Sequence, residues 1–299
     1  MNTTLFKPIN HQRTLGSTQN SGPITGKLNY LVPDTETPTH YTFTPPEGIP
    51  WENVEYEARE VEIRDARLAS TQLDVQGFEL WEAPSEVRNF DNVTEVRSGY
   101  YPEIERLVKL ATGANRAIVF DHLVRQRRTE SEPLDFGRRE EGVSVVPANG
   151  RIHNDYTEAS GSRRLEMVID ELQARQSIYR FSIVNVWRSI GDPVIDTPLA
   201  VCDSQSISTL DLVQARVIYP KREGEIYVLK HSSRHRWYYF PDMSHTEALI
   251  FKQYDSELTG VSRFTPHAAF QNPLGVAHQK PRKSIEVRCL VVHDMELPQ

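Results

Sequence analysis

The sequence predicts a mainly β fold with flanking helices, built as a double-sheet jelly roll or barrel. Three observations carry this. Short runs rich in Val, Ile, Tyr, Phe and Trp recur from residue 61 onward, each bounded by Gly, Pro, Asp or Ser clusters. Longer stretches with apolar residues at helical spacing are few and lie in the first 175 residues, which argues against a parallel α/β sheet. No internal repeat divides the chain.

In chain order, residues 1–50 are rich in Pro, Thr, Asn and Gly and read as an N-terminal arm of loops around a single domain over 51–299. Val61-Glu62-Ile63 and Phe78-Glu79-Leu80 read as short strands. Residues 101–110 place Ile104, Leu107, Val108 and Ala111 on one helical face, with Thr112-Gly113 as the stop. Residues 117–120 form a buried strand. A second helix is expected over 162–175 from the spacing of Leu165, Val168, Ile169 and Leu172. Strands follow at 181–187, 198–202, 226–229, 237–240, 248–251 and 285–292, interrupted by one short helix at 209–215. The run 247–255 reads as a strand leaving the core.

Composition narrows the function. A chain of 299 residues, 38% hydrophobic and 25% charged, can bury a substantial core. Its net charge of -7 argues against a nucleic-acid partner, and doublets such as Arg127-Arg128 and Arg163-Arg164 are too small to neutralise a phosphate backbone. Cys202 and Cys289 stand far apart and read as small buried hydrophobes. No apolar run approaches a membrane span and the first residues lack a secretion-signal core, so the expected location is the cytosol with no membrane partner. Oligomeric state is not legible.

Three features carry chemistry. In Arg151-Ile152-His153-Asn154-Asp155, residues two apart on a strand share a face, so His153 and Asp155 can grip one metal ion; taken alone the pair reads equally as a solvated strand end. Thr265-Pro266-His267 offers a third ligand downstream. Two histidines and one carboxylate leave coordination positions open, as an oxygenase needs, whereas a structural zinc site fills all four. Third, Arg282, Ser284, Glu286 and Arg288 alternate with Ile285, Val287, Cys289 and Val291, giving a strand with a polar, inward face. An arginine buried there needs an anion, and a guanidinium fork beside a hydroxyl suits a carboxylate. The competing reading of Arg288 is an internal salt bridge to Glu286 or Asp255. His231, His235 and His245 lie on strand and turn rather than helix and read as packed or hydrogen-bonded residues, as does His122; His11, His40, His278 and His293 receive no role.

The order His-x-Asp, distant His, then Arg-x-Ser on a closing strand resembles the iron(II) and 2-oxoglutarate dioxygenases. The phrases His153-Asn-Asp-Tyr-Thr-Glu-Ala-Ser-Gly-Ser-Arg-Arg164, Asn185-Val-Trp-Arg188, Pro198-Leu-Ala-Val-Cys-Asp203, His235-Arg-Trp-Tyr-Tyr239 and Ser284-Ile-Glu-Val-Arg288 are similar to the fungal gibberellin desaturase and cephem-hydroxylase-like family. Thr112-Gly-Ala114 and Val119-Phe-Asp-His122 extend the likeness, which runs from about residue 28 to the end. The resemblance implies a cupin-like, double-stranded β-helix core, with His153, Asp155 and His267 as Fe(II) ligands and Arg282 with Ser284 as the 2-oxoglutarate anchor, Arg288 being the alternative. It further implies O2 as oxidant and a small-molecule metabolite as substrate, to be hydroxylated, desaturated or oxidatively cyclised in secondary metabolism. Asn185, Trp187 and Arg188 share a strand able to line the pocket, and Tyr156, Arg164 and Trp237 complete the substrate candidates. A divalent-metal hydrolase or isomerase on the same barrel, and a non-catalytic metabolite-binding jelly roll, are the competing readings.

Overall fold

The computed structural model describes residues 6–9, 22–33, 36–126, 134, 148–170, 177–275 and 281–295. The Arg127-Arg128 doublet, His11, His278 and the last residues of the expected second helix lie outside the described residues.

Among the described residues, fifteen strands build two facing sheets. The first has the order β1 (Lys7–Pro8), β5 (Phe78–Glu82), β13 (Glu247–Asp255), β8 (Ile178–Ser189), β15 (Lys283–Asp294) and β6 (Arg116–Gln126), antiparallel throughout. The second runs β2 (Ile24–Leu31), β4 (Tyr56–Asp65), β12 (Trp237–Tyr239), β9 (Leu199–Cys202), β14 (His267–Ala269), β7 (His153–Asn154), β11 (Arg222–Leu229), β10 (Leu212–Tyr219) and β3 (Thr39–Tyr41). Between them Phe78, Leu80, Trp187, Val201, Leu249 and Phe251 form a shared core, and Tyr156, Ile183, Tyr254, Leu290 and Val292 form another at the far end. Alternation decides the faces: Leu249 and Phe251 point into the sandwich, while Ala248 and Ile250 point outward. This is the double-stranded β-helix that the sequence resemblance implied.

Helices cover the outer faces. A three-residue turn, α1 (Val93–Glu95), is capped by the Asn92 side chain and leads through a π-turn into α2 (Tyr101–Thr112), which ends where Gly113 adopts φ 68° and donates to Lys109 O. Ile104, Leu107 and Val108 of α2 pack against Val184, Val186, Val287 and Val291, burying the outer face of the first sheet. The third helix, α3 (Glu158–Val168), begins with a capping box between Thr157 and Ser160. At Gly161 a Cβ would meet the Tyr254 ring at 2.6 Å, so glycine lets α3 sit directly on β13.

Four expectations need correcting. The loop reading of the N-terminal arm misses β2, eight residues long and paired with β4, which also bridges Asn29 to Arg151 in parallel and so runs beside the segment that leads into the site. The helix expected at 209–215 stops after one 3-10 turn, Thr209–Asp211, because Leu212 turns extended to pair with β11. The strand Glu247–Asp255 does not leave the core: all nine residues are buried between β5 and β8. The second helix begins four residues earlier than its apolar spacing suggested, at its capping box.

Candidate metal centre

β7 and β14 are antiparallel neighbours in which His267 stands directly opposite His153. That register brings the two imidazoles to a centroid separation of 4.4 Å, although the residues are far apart in sequence. Asp155 follows β7 by one residue on the same face as His153, with its Oδ1 3.6 Å from His153 Nε2. The ligand atoms of the three residues lie within 4.8 Å of one another.

Each side chain is held by its other end. His153 Nδ1 donates to Arg151 O at 2.8 Å and His267 Nδ1 to Thr265 O at 3.2 Å, which fixes both tautomers and leaves both Nε2 lone pairs free. Phe251 meets the His267 ring edge-on at 4.8 Å. Burial, then the neighbouring His267, pushes the His153 imidazolium well below its ordinary range, so the ring is neutral and able to bind a cation. Asp155 Oδ2 accepts from Asn185 Nδ2 at 2.8 Å and from Arg288 Nε at 2.9 Å. Burial opposes its ionisation, yet the Arg288 guanidinium, helped by the Asn185 hydrogen bond, outweighs that and holds the carboxyl well below the usual range. Oδ1 therefore remains the ligand atom. Two imidazole nitrogens and one carboxylate oxygen converging on a point are a donor set that fits Fe(II) and leaves positions open.

A second cavity begins behind the histidines. Arg125, Asn149, His153, Leu199, His267 and Arg282 are among its walls. Arg282 is buried; its Nε donates to Ser284 Oγ at 3.0 Å and one terminal nitrogen to Thr197 O at 2.8 Å, while its guanidinium lies 5.0 Å from the Trp187 ring. Burial, then Arg125, pushes its pKa down to about 9, the signature of a cation short of a counter-ion.

The other expected residues divide. Asn185 and Arg288 support Asp155, and Arg288 also contacts Glu286 at 3.3 Å, as the salt-bridge reading foresaw; Asp255 pairs instead with Arg180 and Lys252. Tyr156 and Arg164 line a recess beside Asp155. Trp187 belongs to the core between the sheets. Two assignments are corrected. Arg188 alternates to the outer face of β8, where it stacks 5.1 Å from Tyr100 and donates to His245 O, away from the metal ligands. Trp237 is buried under β2 with its indole donating to Tyr30 Oη, so it is core. His235 bonds Tyr30 and Asp211, and His122 bonds Tyr101, both as packed residues. Cys202 and Cys289 are buried free thiols.

Sequence reasoning missed Asn154 and Gln253, which bond each other's backbone surroundings and place Asp155: Gln253 Oε1 accepts from Asp155 N at 2.7 Å, and Asn154 Nδ2 donates to Gln253 O. Nothing in their local pattern marked them. Arg125 was also missed, whereas Glu286, placed by the sequence on the inward polar face of its strand, lines the same cavity.

Two histidines and a carboxylate at the mouth of a double-stranded β-helix define the mononuclear non-haem iron oxygenase class. A family model described as an oxidoreductase/YMDC permease-like domain matches residues 28–292; no helix among the described residues is long and apolar enough to cross a membrane. The chain is 34% identical to hydroxylase/desaturase efuI of Hormonema carpetanum, over 80% of this chain and 85% of the relative. It is 31% identical to the Fe(II)/2-oxoglutarate-dependent dioxygenase nvfI of Aspergillus novofumigatus, over 89% of this chain and 95% of that one. A solved structure of the iron and alpha-ketoglutarate-dependent endoperoxidase NvfI superposes with a TM-score of 0.80 at 28% identity, covering 93% of this chain and all of that one. This chain thus belongs to the family of Fe(II)- and 2-oxoglutarate-dependent hydroxylases and desaturases.

Proposed function

We propose that this protein binds Fe(II) through His153, Asp155 and His267, binds 2-oxoglutarate through Arg282 and Ser284, and uses O2 to hydroxylate, desaturate or oxidatively cyclise a small-molecule metabolite. The observation that carries the assignment of the anchor is the cavity in which Arg282 shares walls with both histidines. Arg288 is the weaker candidate because its guanidinium is committed to Asp155, Glu286 and Asp121.

Iron with 2-oxoglutarate, once bound, supplies an O2-derived oxidant able to take hydrogen from an unactivated C–H bond, with succinate and CO2 as co-products. The chain's own work is positional. Ser284 Oγ accepts from Arg282 Nε, which leaves the hydroxyl proton free to donate to the distal carboxylate beside the guanidinium. Asn185 and Arg288 hold Asp155 to one ligating oxygen, keeping positions open for cosubstrate and O2. Leu199 and Ala269 on the cavity wall limit water there. The outcome among hydroxylation, desaturation and ring closure depends on how one C–H bond is held. A cytosolic location fits the two buried free thiols.

The test is anaerobic titration of apo-protein with Fe(II) and then 2-oxoglutarate, following the weak visible charge-transfer band of the chelate. Wild type develops the band, His267→Ala does not, and Arg282→Gln needs far more 2-oxoglutarate. No band, with tight Zn(II) binding instead, overturns the reading in favour of a hydrolase or isomerase.

A further inference from the structure

A recess distinct from the Arg282 cavity reaches the metal centre from the Asp155 side, bounded by α3, β6 and the β10–β11 hairpin. Asp155 itself, Tyr156, Asp121, Arg163, Arg164 and Arg288 are among its walls. Its volume of about 110 Å³ admits a head group rather than a whole polycyclic metabolite.

Its carboxylates are all paired, whereas two of its arginines, Arg222 and Arg164, have no carboxylate partner among the described residues. Asp155 and Asp121 are held by Arg288, Glu225 pairs with Arg163, and Glu223 pairs with Arg216 at 2.9 Å. Every carboxylate of the recess is therefore committed to another arginine. Arg222, at the outer rim, is exposed and lies over the Tyr219 ring. Arg164 is different: it is half-buried on α3, its guanidinium stacked 4.7 Å from the Phe120 ring and 5.9 Å from the Tyr156 ring. Its Nε is buried with no hydrogen-bond partner, and no carboxylate among the described residues lies within ion-pair distance. An unpaired buried N–H of a cation costs free energy that an arriving acceptor restores. The two rings hold the planar fork in place, so its geometry is set before a ligand arrives.

We infer that the substrate carries a carboxylate and seats it on Arg164, with Tyr156 tying that contact to the neighbouring ligand Asp155. The inference rests on the oxygenase reading and adds the substrate class to it. A single half-buried guanidinium among committed carboxylates, with Arg222 exposed at the rim, matches a monoanion; a phosphate dianion would meet Asp121, Glu223 and Glu225 across the same recess.

The experiment uses the full chain loaded anaerobically with Fe(II) and saturating 2-oxoglutarate, which keeps small acids out of the Arg282 cavity. Calorimetry then compares benzoate with benzamide, its uncharged isostere, in wild type, Arg164→Lys and Arg164→Gln. Wild type is expected to bind benzoate at least tenfold more tightly than benzamide, with the preference reduced in Arg164→Lys and lost in Arg164→Gln. Equal binding of the two probes in wild type overturns the inference, as does a preference that survives Arg164→Gln. Loss of 2-oxoglutarate affinity in Arg164→Gln also overturns it, by assigning the residue to the cosubstrate. The chelate band is read first, so a failure there strikes the oxygenase reading, whereas a band followed by equal benzoate and benzamide binding strikes this inference alone.

Discussion

Asp155, with its side chain 10% exposed, and Asp255, fully buried, are both carboxylates flanked by cations, yet one is poised for chemistry and the other is structural. Asp255 has every oxygen committed: Oδ1 accepts from Arg180 Nε and Glu257 N, and Oδ2 from Arg180 and Lys252. Asp155 has two donors on Oδ2, while Oδ1 faces only His153 Nε2. Burial and ion pairing therefore do not distinguish a metal ligand from a structural ion pair. The uncommitted oxygen does, together with two imidazoles whose Nδ1 protons are already placed.

The sharpest way to break that comparison is to delete each carboxylate. Asp155→Ala should lose stoichiometric Fe(II) and at least about 10³-fold in turnover with a smaller loss of stability than at Asp255, since Arg288 keeps Glu286 and Asp121 as counter-ions. Asp255→Ala should lose about 3 kcal/mol of stability, because the buried ammonium of Lys252 is left with exposed Asp74 as its remaining carboxylate and Arg180 loses its two-pronged contact. Metal analysis and urea titration read both, and an Asp255 variant that loses iron while remaining stable would refute the division. Next in size, Arg282→Gln should raise the 2-oxoglutarate KM on the order of 100-fold with Fe(II) binding intact, the loss expected for one partner of a buried charged contact. Asn185→Ala removes one of the two donors on Asp155 Oδ2 and should weaken Fe(II) binding about 10-fold, measured by chelator competition.

The remaining effect is a pH dependence away from the metal. Burial, then Arg151, pushes His40 down to about 2, while its Nε2 shares a hydrogen bond with Tyr56 Oη. The folded pKa lies below the unfolded one, so below about pH 6.5 the unfolded chain binds the extra proton and stability falls with acidification. Between pH 6.5 and 5 the single group contributes a loss of roughly 2 kcal/mol. His40→Asn should flatten the slope of unfolding free energy over that window, and an unchanged slope would remove His40 from the account.

Much of the site was legible in the chain. His153 and Asp155 stand two apart, and a strand or extended segment sends such residues to one face whatever surrounds it. The polar alternation over 282–288 announced an inward face, and Arg282, Ser284, Glu286 and Arg288 all lie in the interior. What stayed hidden was which arginine does what. Arg282 and Arg288 have the same local pattern, and only the sandwich sets one beside the cavity and the other against Asp155. Arg188 illustrates the complementary error: on a strand buried on both faces, composition does not say which side a residue takes, and Trp187 rather than Arg188 turned inward. The 212–219 segment carried the alternation of a strand in Val213, Ala215 and Val217, but the capping turn at Ser208 and Asp211 masked it.

The sequence by itself determined the elements whose signal is local: the α2 helix with its glycine stop, the hydrophobic strands, the His-x-Asp pair and the polar face of the last strand. Only the tertiary structure decided the register that sets His267 opposite His153, the commitment of one Asp155 oxygen and not the other, and the isolation of Arg164 among paired charges. The physical reason is that ligation and charge pairing depend on contacts between residues that are distant in sequence, 30 positions apart for Asp155 and Asn185 and 133 for Asp155 and Arg288. Those contacts follow from how two sheets pack, and no periodicity within a single strand encodes them.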